Sequence, residues 1–438
     1  MIINKKIGVI SLGCDKNRVD TEKMLKIVSK YHQIVSDDSE IDILIINTCA
    51  FLESSRKEAV DEILTAIRKK EQGLLEKIIV TGCLPQKFIG DIFDELPEVD
   101  AFLGVSDYKS LNKVIDKIYD GERAKKVNPP KNEKCIKRVR TTPYYAYLKI
   151  ADGCDNHCTY CLIPKIRGKF RSINYLDLIK EAKSLKKVKE LILVAQDTAA
   201  YGKDLGKNIN LTFLIKELSK LNNIEKIRLL YCYPENITDE LIEEIKTNPK
   251  VIKYIDIPLQ HADDRILKLM NRKGTFDGYL SLINKLKKEI DGIAIRSTFI
   301  AGFQTETQEN FDRLVEFIKR AKLFNAGFFA YSKEEGTPAY KLDGDVVNSE
   351  KIKRVKKLYS VQKAVVKENF KQFIGKTVKV LAEGFDENTL CYYGRAYFNA
   401  PDIDGKVYFF SSSEVKYGNY YDIKINESAG YDLYGERI

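Results

Sequence analysis

The sequence predicts an α/β protein in three parts: an N-terminal parallel sheet covered by helices, a central partial barrel of six βα units, and a small all-β barrel at the C-terminus. Three observations lead there. Apolar runs alternate with helical patterns over residues 1–120 and again from Tyr144 to about Phe370. A basic, proline-containing stretch separates the two series. From about Gln372 onward, short β-like runs follow one another with no helix between them. The chain has 438 residues, 44% hydrophobic and 31% charged, which is enough for several buried cores and too apolar for wholesale disorder. No apolar run reaches the roughly 18 residues that a bilayer-spanning helix needs, and no signal-peptide pattern stands ahead of the first strand. The expectation is a cytoplasmic monomer without membrane association. Nine cysteines in a reducing compartment suggest metal or catalytic chemistry, not a disulfide framework.

In chain order, Ile7 to Leu12 reads as a strand, Thr21 to Tyr31 as a helix and Ile41 to Ile46 as a second strand. Ser54 to Gln72 reads as a helix with Ala59, Ile63, Ala66 and Ile67 on its apolar face, and Ile78 to Thr81 as a third strand. This βαβαβ order gives residues 1–120 a parallel sheet. Residues 121–143 hold Pro129, Pro130 and eight basic side chains against Glu122 and Glu133. They read as a solvated connector or as an electrostatic contact for ribosomal RNA or a similar polyanion. Within 144–370 the candidate strands are Tyr145–Ile150, Leu191–Ala195, Ile227–Tyr231, Tyr254–Ile257, Ala294–Ile300 and Gly327–Ala330, a set that fits a partial or full α/β barrel. Within 372–438 the β runs Thr377–Ala382, Tyr392–Phe398, Lys406–Phe410 and Tyr420–Asn426 suggest a barrel of the OB type. That last part carries ten acidic against seven basic side chains, with Tyr392, Tyr393, Tyr397 and Phe398 as aromatic platforms. Its charge sign suits a basic protein partner better than RNA, with Asp402 and Asp404 as candidate contacts.

The sharpest signal is Gly153-Cys154-Asp155-Asn156-His157-Cys158-Thr159-Tyr160-Cys161, placed directly after the first barrel strand. Three thiolates at C-x3-C-x2-C spacing can wrap one face of a [4Fe–4S] cluster and leave its fourth iron without a protein ligand. Structural zinc sites show two paired halves, and no second half is visible nearby. His157 falls inside the first gap and is expected to be exposed. Cys14, Cys49 and Cys83 form a second set, each following a predicted strand. Consecutive parallel strands bring their C-terminal ends to one crest, where α/β folds bind ligands. Gly13 and Gly82 favour a tight backbone approach there over plain core packing, and a second cluster is the natural occupant. Cys135, Cys232 and Cys391 have no partners at useful spacing and read as incidental.

The C-x3-C-x2-C loop, the aromatic Tyr160 before its last cysteine and the six βα units resemble the radical S-adenosylmethionine superfamily. With the second trio and the C-terminal barrel added, the chain resembles the methylthiotransferases over nearly its whole length. That barrel corresponds to the family's TRAM domain. The segments Ser11-Leu12-Gly13-Cys14-Asp15-Lys16-Asn17-Arg18-Val19-Asp20-Thr21-Glu22, Asn47-Thr48-Cys49-Ala50-Phe51 and Gly82-Cys83-Leu84-Pro85-Gln86 carry the N-terminal likeness. Ile163 to Ser172, Asp256 to His261 and Asn399 to Gly405 carry the rest. They are similar to the branch that modifies an aspartate of ribosomal protein S-twelve, whereas the transfer-RNA branch usually reads Gly-Cys-Gln-Met-Asn around the first cysteine. The chain departs from the pattern at Asp15 (usually proline), Ala50 (usually glycine), Ile173 (usually arginine) and Phe303-Gln304-Thr305-Glu306, which lacks a Pro-Gly turn.

The resemblance implies methylthiolation of an unactivated aspartate β carbon, a position no side-chain base can deprotonate at neutral pH. It implies two [4Fe–4S] clusters and two S-adenosylmethionine molecules, one giving a methyl group and one a 5′-deoxyadenosyl radical. Cys154, Cys158 and Cys161 would hold the radical-generating cluster, and Cys14, Cys49 and Cys83 the auxiliary one. Gln196 and Asp197, at the end of the second barrel strand, are placed to meet the methionine amino group, or are a polar pair at a loop start. Arg296 and Ser297 on the fifth strand would reach the ribose or carboxylate, and Gly302 would allow close approach of adenine. Gln260 and His261 end the fourth strand, and His261 is equally readable as a structural histidine. Expected partners are ribosomal protein S-twelve, free or in the small subunit, an electron donor such as flavodoxin or ferredoxin, and a sulfide or polysulfide donor. Two alternatives stand beside this reading: a transfer-RNA methylthiotransferase, and a non-catalytic iron–sulfur RNA-binding protein.

Overall fold

The computed structural model describes residues 3–36, 41–131 and 137–438. Its first sheet has six parallel strands in the order β2-β1-β3-β4-β5-β6. They are β1 (Lys6–Ser11), β2 (Gln33–Ile34), β3 (Ile43–Thr48), β4 (Lys77–Gly82), β5 (Ala101–Leu103) and β6 (Ala124–Lys126). Helices α1 (Asp15–Val28), α2 (Glu53–Glu71), α3 (Cys83–Glu95) and α4 (Leu111–Tyr119) connect and cover them. Every residue of β3 is buried, the signature of a central parallel strand packed on both faces, and this is why its sequence reads as an unbroken apolar run. Helix α1 starts at Asp15, six residues before the position that periodicity indicates. Cys14, in extended conformation, stands at the N-cap position without a side-chain cap bond, so the helix begins directly after that cysteine.

The described residues of 121–143 are tied to the neighbouring parts at several points. Ala124–Lys126 pairs with β5, and Arg123 donates to the carbonyls of Leu96 at 2.6 Å and Val99 at 2.9 Å beyond the end of α3. Arg138 is buried between Glu22 and Glu181. Arg123 and Arg138 are therefore structural, while Lys125, Lys126, Lys131 and Lys137 remain exposed. Cys135 lies outside the described residues.

The central sheet is open and all parallel, in the order β14-β13-β12-β11-β10-β7. Its strands are β7 (Tyr145–Lys149), β10 (Val188–Val194), β11 (Ile224–Leu229), β12 (Val251–Asp256), β13 (Ala294–Ala301) and β14 (Asn325–Ala330). A two-stranded piece, β8 (Ala151–Asp152) with β9 (Arg171–Ser172), brackets the short helix α5 (Ile163–Arg167). Helices α6 (Tyr175–Ser184), α7 (Leu211–Ser219), α8 (Asp239–Thr247), α9 (Asp264–Leu269), α10 (Phe276–Glu289) and α11 (Gln308–Ala321) follow the strands. All six expected βα units are present, and the barrel is partial. Helix α12 (Asn348–Phe370) leads to a closed barrel of β15 (Thr377–Asp386), β16 (Cys391–Arg395), β17 (Val407–Phe410), β18 (Tyr420–Ala429) and β19 (Asp432–Arg437). The fifth of these strands escapes sequence reading because only Leu433 is buried on it, so no apolar alternation marks it.

The concave face of the partial barrel is filled from both sides. Tyr147, Ile192, Leu230 and Tyr254 form one core with Val19 of α1 and with Phe398, Phe409 and Ile423 of the C-terminal barrel. Charged groups stitch this junction. Arg228 and Arg395 both pair with buried Glu190, at 2.5 and 2.9 Å. The Tyr254 hydroxyl donates to Asp404 at 2.7 Å, and Arg296 lies 3.5 Å from the same carboxylate. The Tyr145 hydroxyl and Arg18 meet Asp402 at 3.0 and 3.5 Å. The reading of Asp404 as a partner contact therefore needs correcting, because its side chain is wholly internal. Asp402 meets Tyr145 and Arg18 but stays more than half exposed. Asp404→Lys should lower stability by about 3–5 kcal/mol, since it sets a second cation beside Arg296; urea denaturation checks it. Acid should loosen the same junction. Burial opposes ionisation of Glu190, but Arg228 and Arg395 outweigh it and hold the carboxyl below its usual value. The stabilisation is full above the unfolded value and is lost as pH falls through the folded one. Glu190→Gln should therefore flatten the acid limb of stability against pH, measured by urea midpoints at stepped pH.

Candidate active site

The first trio stands on the loop after β7. The loop is pinned to its surroundings: Thr159 donates to the carbonyls of Met270 and Leu269 at 3.1 and 2.7 Å, and Ala339 donates to the Thr159 carbonyl at 2.9 Å. Backbone N–H groups point at the sulfurs, Asn156 at Cys154 Sγ (3.5 Å) and Ile163 at Cys161 Sγ (3.4 Å). The Arg272 guanidinium approaches Cys158 Sγ at 3.9 Å. These donors suit sulfur that carries negative charge. Burial pushes the Cys154 thiol up to about 11 and the Cys161 thiol up to about 12, with the neighbouring thiols adding to the rise. Left alone the thiols stay protonated, and a bound cation would make them thiolates. His157 is exposed, with φ +49°, as expected of a residue in the gap.

The second trio lies at the C-terminal ends of β1, β3 and β4, three adjacent parallel strands. Burial raises the Cys83 thiol to about 12, with Cys49 and Cys14 adding to the rise, and burial and then Cys14 push the Cys49 thiol up. At Gly13, φ +84°, a Cβ would collide with Cys49, and at Gly82, φ +100°, one would collide with Thr48 and Asn47. The tight approach these glycines allow is of the trio's own loops to one another. Asn17 ties the crest together, donating to the carbonyls of Leu12 (2.9 Å) and Thr48 (3.1 Å). Asn47 donates to the Asn17 carbonyl and to Thr21, both at 2.9 Å.

Arg167 joins the two trios. It is fully buried, its Nη2 lies 2.6 Å from Asn17 Oδ1 and 3.8 Å from Cys83 Sγ, and its Nη1 pairs with Asp20 and Asp152. The adjacent Gly168 carbonyl accepts from the Cys154 backbone N–H at 3.1 Å. Lys149 completes the cluster against Asp20. Sequence reading gave no role to Arg167, Asp20, Lys149 or Asp152. Their one signal is that Asp20 and Arg167 fall within the segments that carry the family likeness.

The other candidate residues are brought to the same crest with work of their own. Asp197 accepts from Asn156 (3.1 Å), Asn236 (2.7 Å) and the Ala200 and Tyr233 backbone, so it positions the first cysteine loop. Gln196 donates to Asp152 at 3.1 Å, while its Oε1 is buried without a partner. Arg296 is balanced by Asp256 at 2.9 Å and by Asp404, so the carboxylates it needs come from the protein. Ser297 donates to the Ile257 carbonyl at 2.7 Å. Gly302, φ +74°, is overlain by the Lys351 stem of α12. Gln260 holds φ +72° between Thr298 and Ile300 backbone bonds. His261 accepts from the Asp263 N–H at Nδ1 (3.0 Å) and faces Glu306 at Nε2 (3.2 Å), a satisfied structural histidine. Cys232 is buried, and Cys391 lies far away on the C-terminal barrel.

Each trio offers three thiols, the kind of donor set a cluster would use. No three His, Cys, Asp or Glu side chains among the described residues close tightly enough on one point for a single ion. A [4Fe–4S] cube asks instead for thiols spread around its corners, each meeting a different iron. Such a site at the C-terminal mouth of a partial α/β barrel defines a radical S-adenosylmethionine enzyme, and residues 148–318 match the model of the Radical SAM superfamily. Residues 6–104 match the Uncharacterized protein family UPF0004, and residues 374–438 the TRAM domain. The chain belongs to the RimO family of methylthiotransferases. It is 44% identical over 438 residues to the ribosomal protein uS12 methylthiotransferase RimO of a Thermoanaerobacter species, covering 99% of this chain and 100% of that one. It is 47% identical to the RimO of Clostridium kluyveri over 98% of this chain and 97% of the other. Among solved structures, the radical S-adenosylmethionine methyltransferase TsrM of Kitasatospora setae shares the fold, with a TM-score of 0.57 at 14% identity over 77% of each chain.

Proposed function

We propose that this enzyme methylthiolates the β carbon of an aspartate in ribosomal protein S-twelve, with Cys154, Cys158 and Cys161 holding one [4Fe–4S] cluster and Cys14, Cys49 and Cys83 a second. The observation that carries the reading is that buried Arg167 lies against Cys83 Sγ of one trio while its neighbour Gly168 accepts from the Cys154 N–H of the other, with no fourth cysteine beside either trio among the described residues. When bound, the first cluster supplies the electron that cleaves S-adenosylmethionine to a radical able to take hydrogen from an unactivated carbon, and the second presents the sulfur. The chain's own residues shape the space. Asp197 and Asn156 orient the first loop, Asn17 and Asn47 hold the second crest, and Arg167 with Lys149 fixes the two against each other. The unpartnered Oε1 of Gln196 is the acceptor best placed for the methionine ammonium; Gln260 and the backbone of Gly302 line the remaining approach. The sulfur donor is sulfide or polysulfide, and the reductant a flavodoxin or ferredoxin. Reconstituted protein given S-adenosylmethionine, a reductant and sulfide should add one methylthio group to ribosomal protein S-twelve. Addition to transfer RNA instead would replace this reading with the transfer-RNA one.

A further inference from the structure

Lys16 stands in the first turn of α1, two residues after Cys14. A cation there opposes the helix dipole, so helix formation gives no reason for it. The residue is 7% exposed. Its ammonium lies 3.5 Å over the Tyr231 ring and has no hydrogen bond or ion pair among the described residues. The nearest acid in sequence, Asp15, is occupied by the Tyr231 hydroxyl at 2.8 Å. Most other buried cations of the site are paired with carboxylates: Arg167 with Asp20 and Asp152, Lys149 with Asp20, Arg138 with Glu22, and Arg296 with Asp256. Arg272 instead meets Cys158 Sγ and donates to the Pro258 carbonyl, whereas Lys16 has neither kind of acceptor among the described residues. A face-on ring offsets only part of what burying an ammonium costs, so Lys16 lacks an anion.

Its platform is built with care. Tyr231 adopts φ +60°, a conformation that a bulky residue takes only when its surroundings impose it. Its N–H is held by Asp256 at 3.1 Å and its carbonyl by the Thr198 N–H at 2.9 Å. These bonds place the ring at the C-terminal mouth of the partial barrel, under the Cys14 end of α1, where the two crests meet. A substrate carbon presented there for hydrogen abstraction and sulfur transfer would be an aspartate β carbon, one bond from a carboxylate.

We propose that the Lys16 ammonium, held on the Tyr231 ring, receives the carboxylate of the substrate aspartate and so selects that side chain at the site. This deepens the proposed function and rests on it. The second carboxylate available at such a site is that of S-adenosylmethionine, and the test separates the two.

The probe is full-length ribosomal protein S-twelve, alongside a version with asparagine at the target aspartate. Both are titrated against the anaerobically reconstituted full chain by fluorescence anisotropy. Wild type should bind the aspartate form about tenfold tighter than the asparagine form, the size of one charge-assisted contact. Lys16→Met, of similar volume, should bind both forms equally, and Lys16→Arg should restore part of the preference. A lysine with a purely structural role would weaken both forms alike, and that result overturns the proposal. So does a Met variant that keeps the preference, or one that loses affinity for S-adenosylmethionine while keeping it. Wild type that binds both forms without preference overturns this inference alone. Wild type that neither binds nor modifies the ribosomal protein overturns the proposed function with it.

Discussion

Replacing Cys154, Cys158 and Cys161 together with alanine should abolish deoxyadenosine formation and cut bound iron from about eight atoms to about four per chain. The expectation follows from geometry as much as from spacing. The three sulfurs share one loop that is pinned at Thr159 by the end of α9 and by Ala339, and two backbone N–H groups aim at them. Among the described residues the other thiol near that crest is Cys232, which burial and then the charges of Asp197 and Asp256 push away from ionisation. The alanine variant should remain folded, because the loop's anchors are backbone bonds and Thr159 rather than the cysteines. Continued deoxyadenosine formation by the variant would remove this loop from the chemistry.

The second large effect separates the trios. Alanine at Cys14, Cys49 and Cys83 should leave S-adenosylmethionine cleavage measurable while methylthio transfer falls below detection. The three thiols belong to a different sheet, and the bonds that hold the first loop do not run through them. Under the proposed function transfer would need both crests, and this variant has lost the one that would present sulfur. Iron should again fall by about half. Full transfer by this variant would show the N-terminal crest to be structural only.

The placement of both cysteine trios at strand ends was legible in the sequence. A three-thiol loop has to be compact, and Cys14, Cys49 and Cys83 each follow an apolar strand whose end is easy to place. The six βα units were equally clear, since buried parallel strands such as Ile43–Thr48 have no polar face to blur them. The rest was hidden for a common reason: it depends on residues far apart in the chain meeting. Arg167 shows its role only beside Asp20 and Cys83. Asp404 looks like a surface acid in an acidic domain until Tyr254 and Arg296 are seen around it. Arg296 was expected to need a ligand carboxylate, and the fold supplies protein ones. The fifth strand of the C-terminal barrel pairs through its backbone and carries charge outward, so its side chains give no alternation to read.

The central claim is that this chain modifies one aspartate of ribosomal protein S-twelve. Intact-protein and peptide mass spectrometry of that protein, from cells with and without the gene for this chain, tests it most directly. The account predicts a methylthio group on one aspartate in the parent, its complete absence in the deletion strain, and its return with wild-type chain but not with the Cys154, Cys158 and Cys161 variant. An identical modification in both strains, or a methylthio group lost from transfer RNA instead, would contradict it.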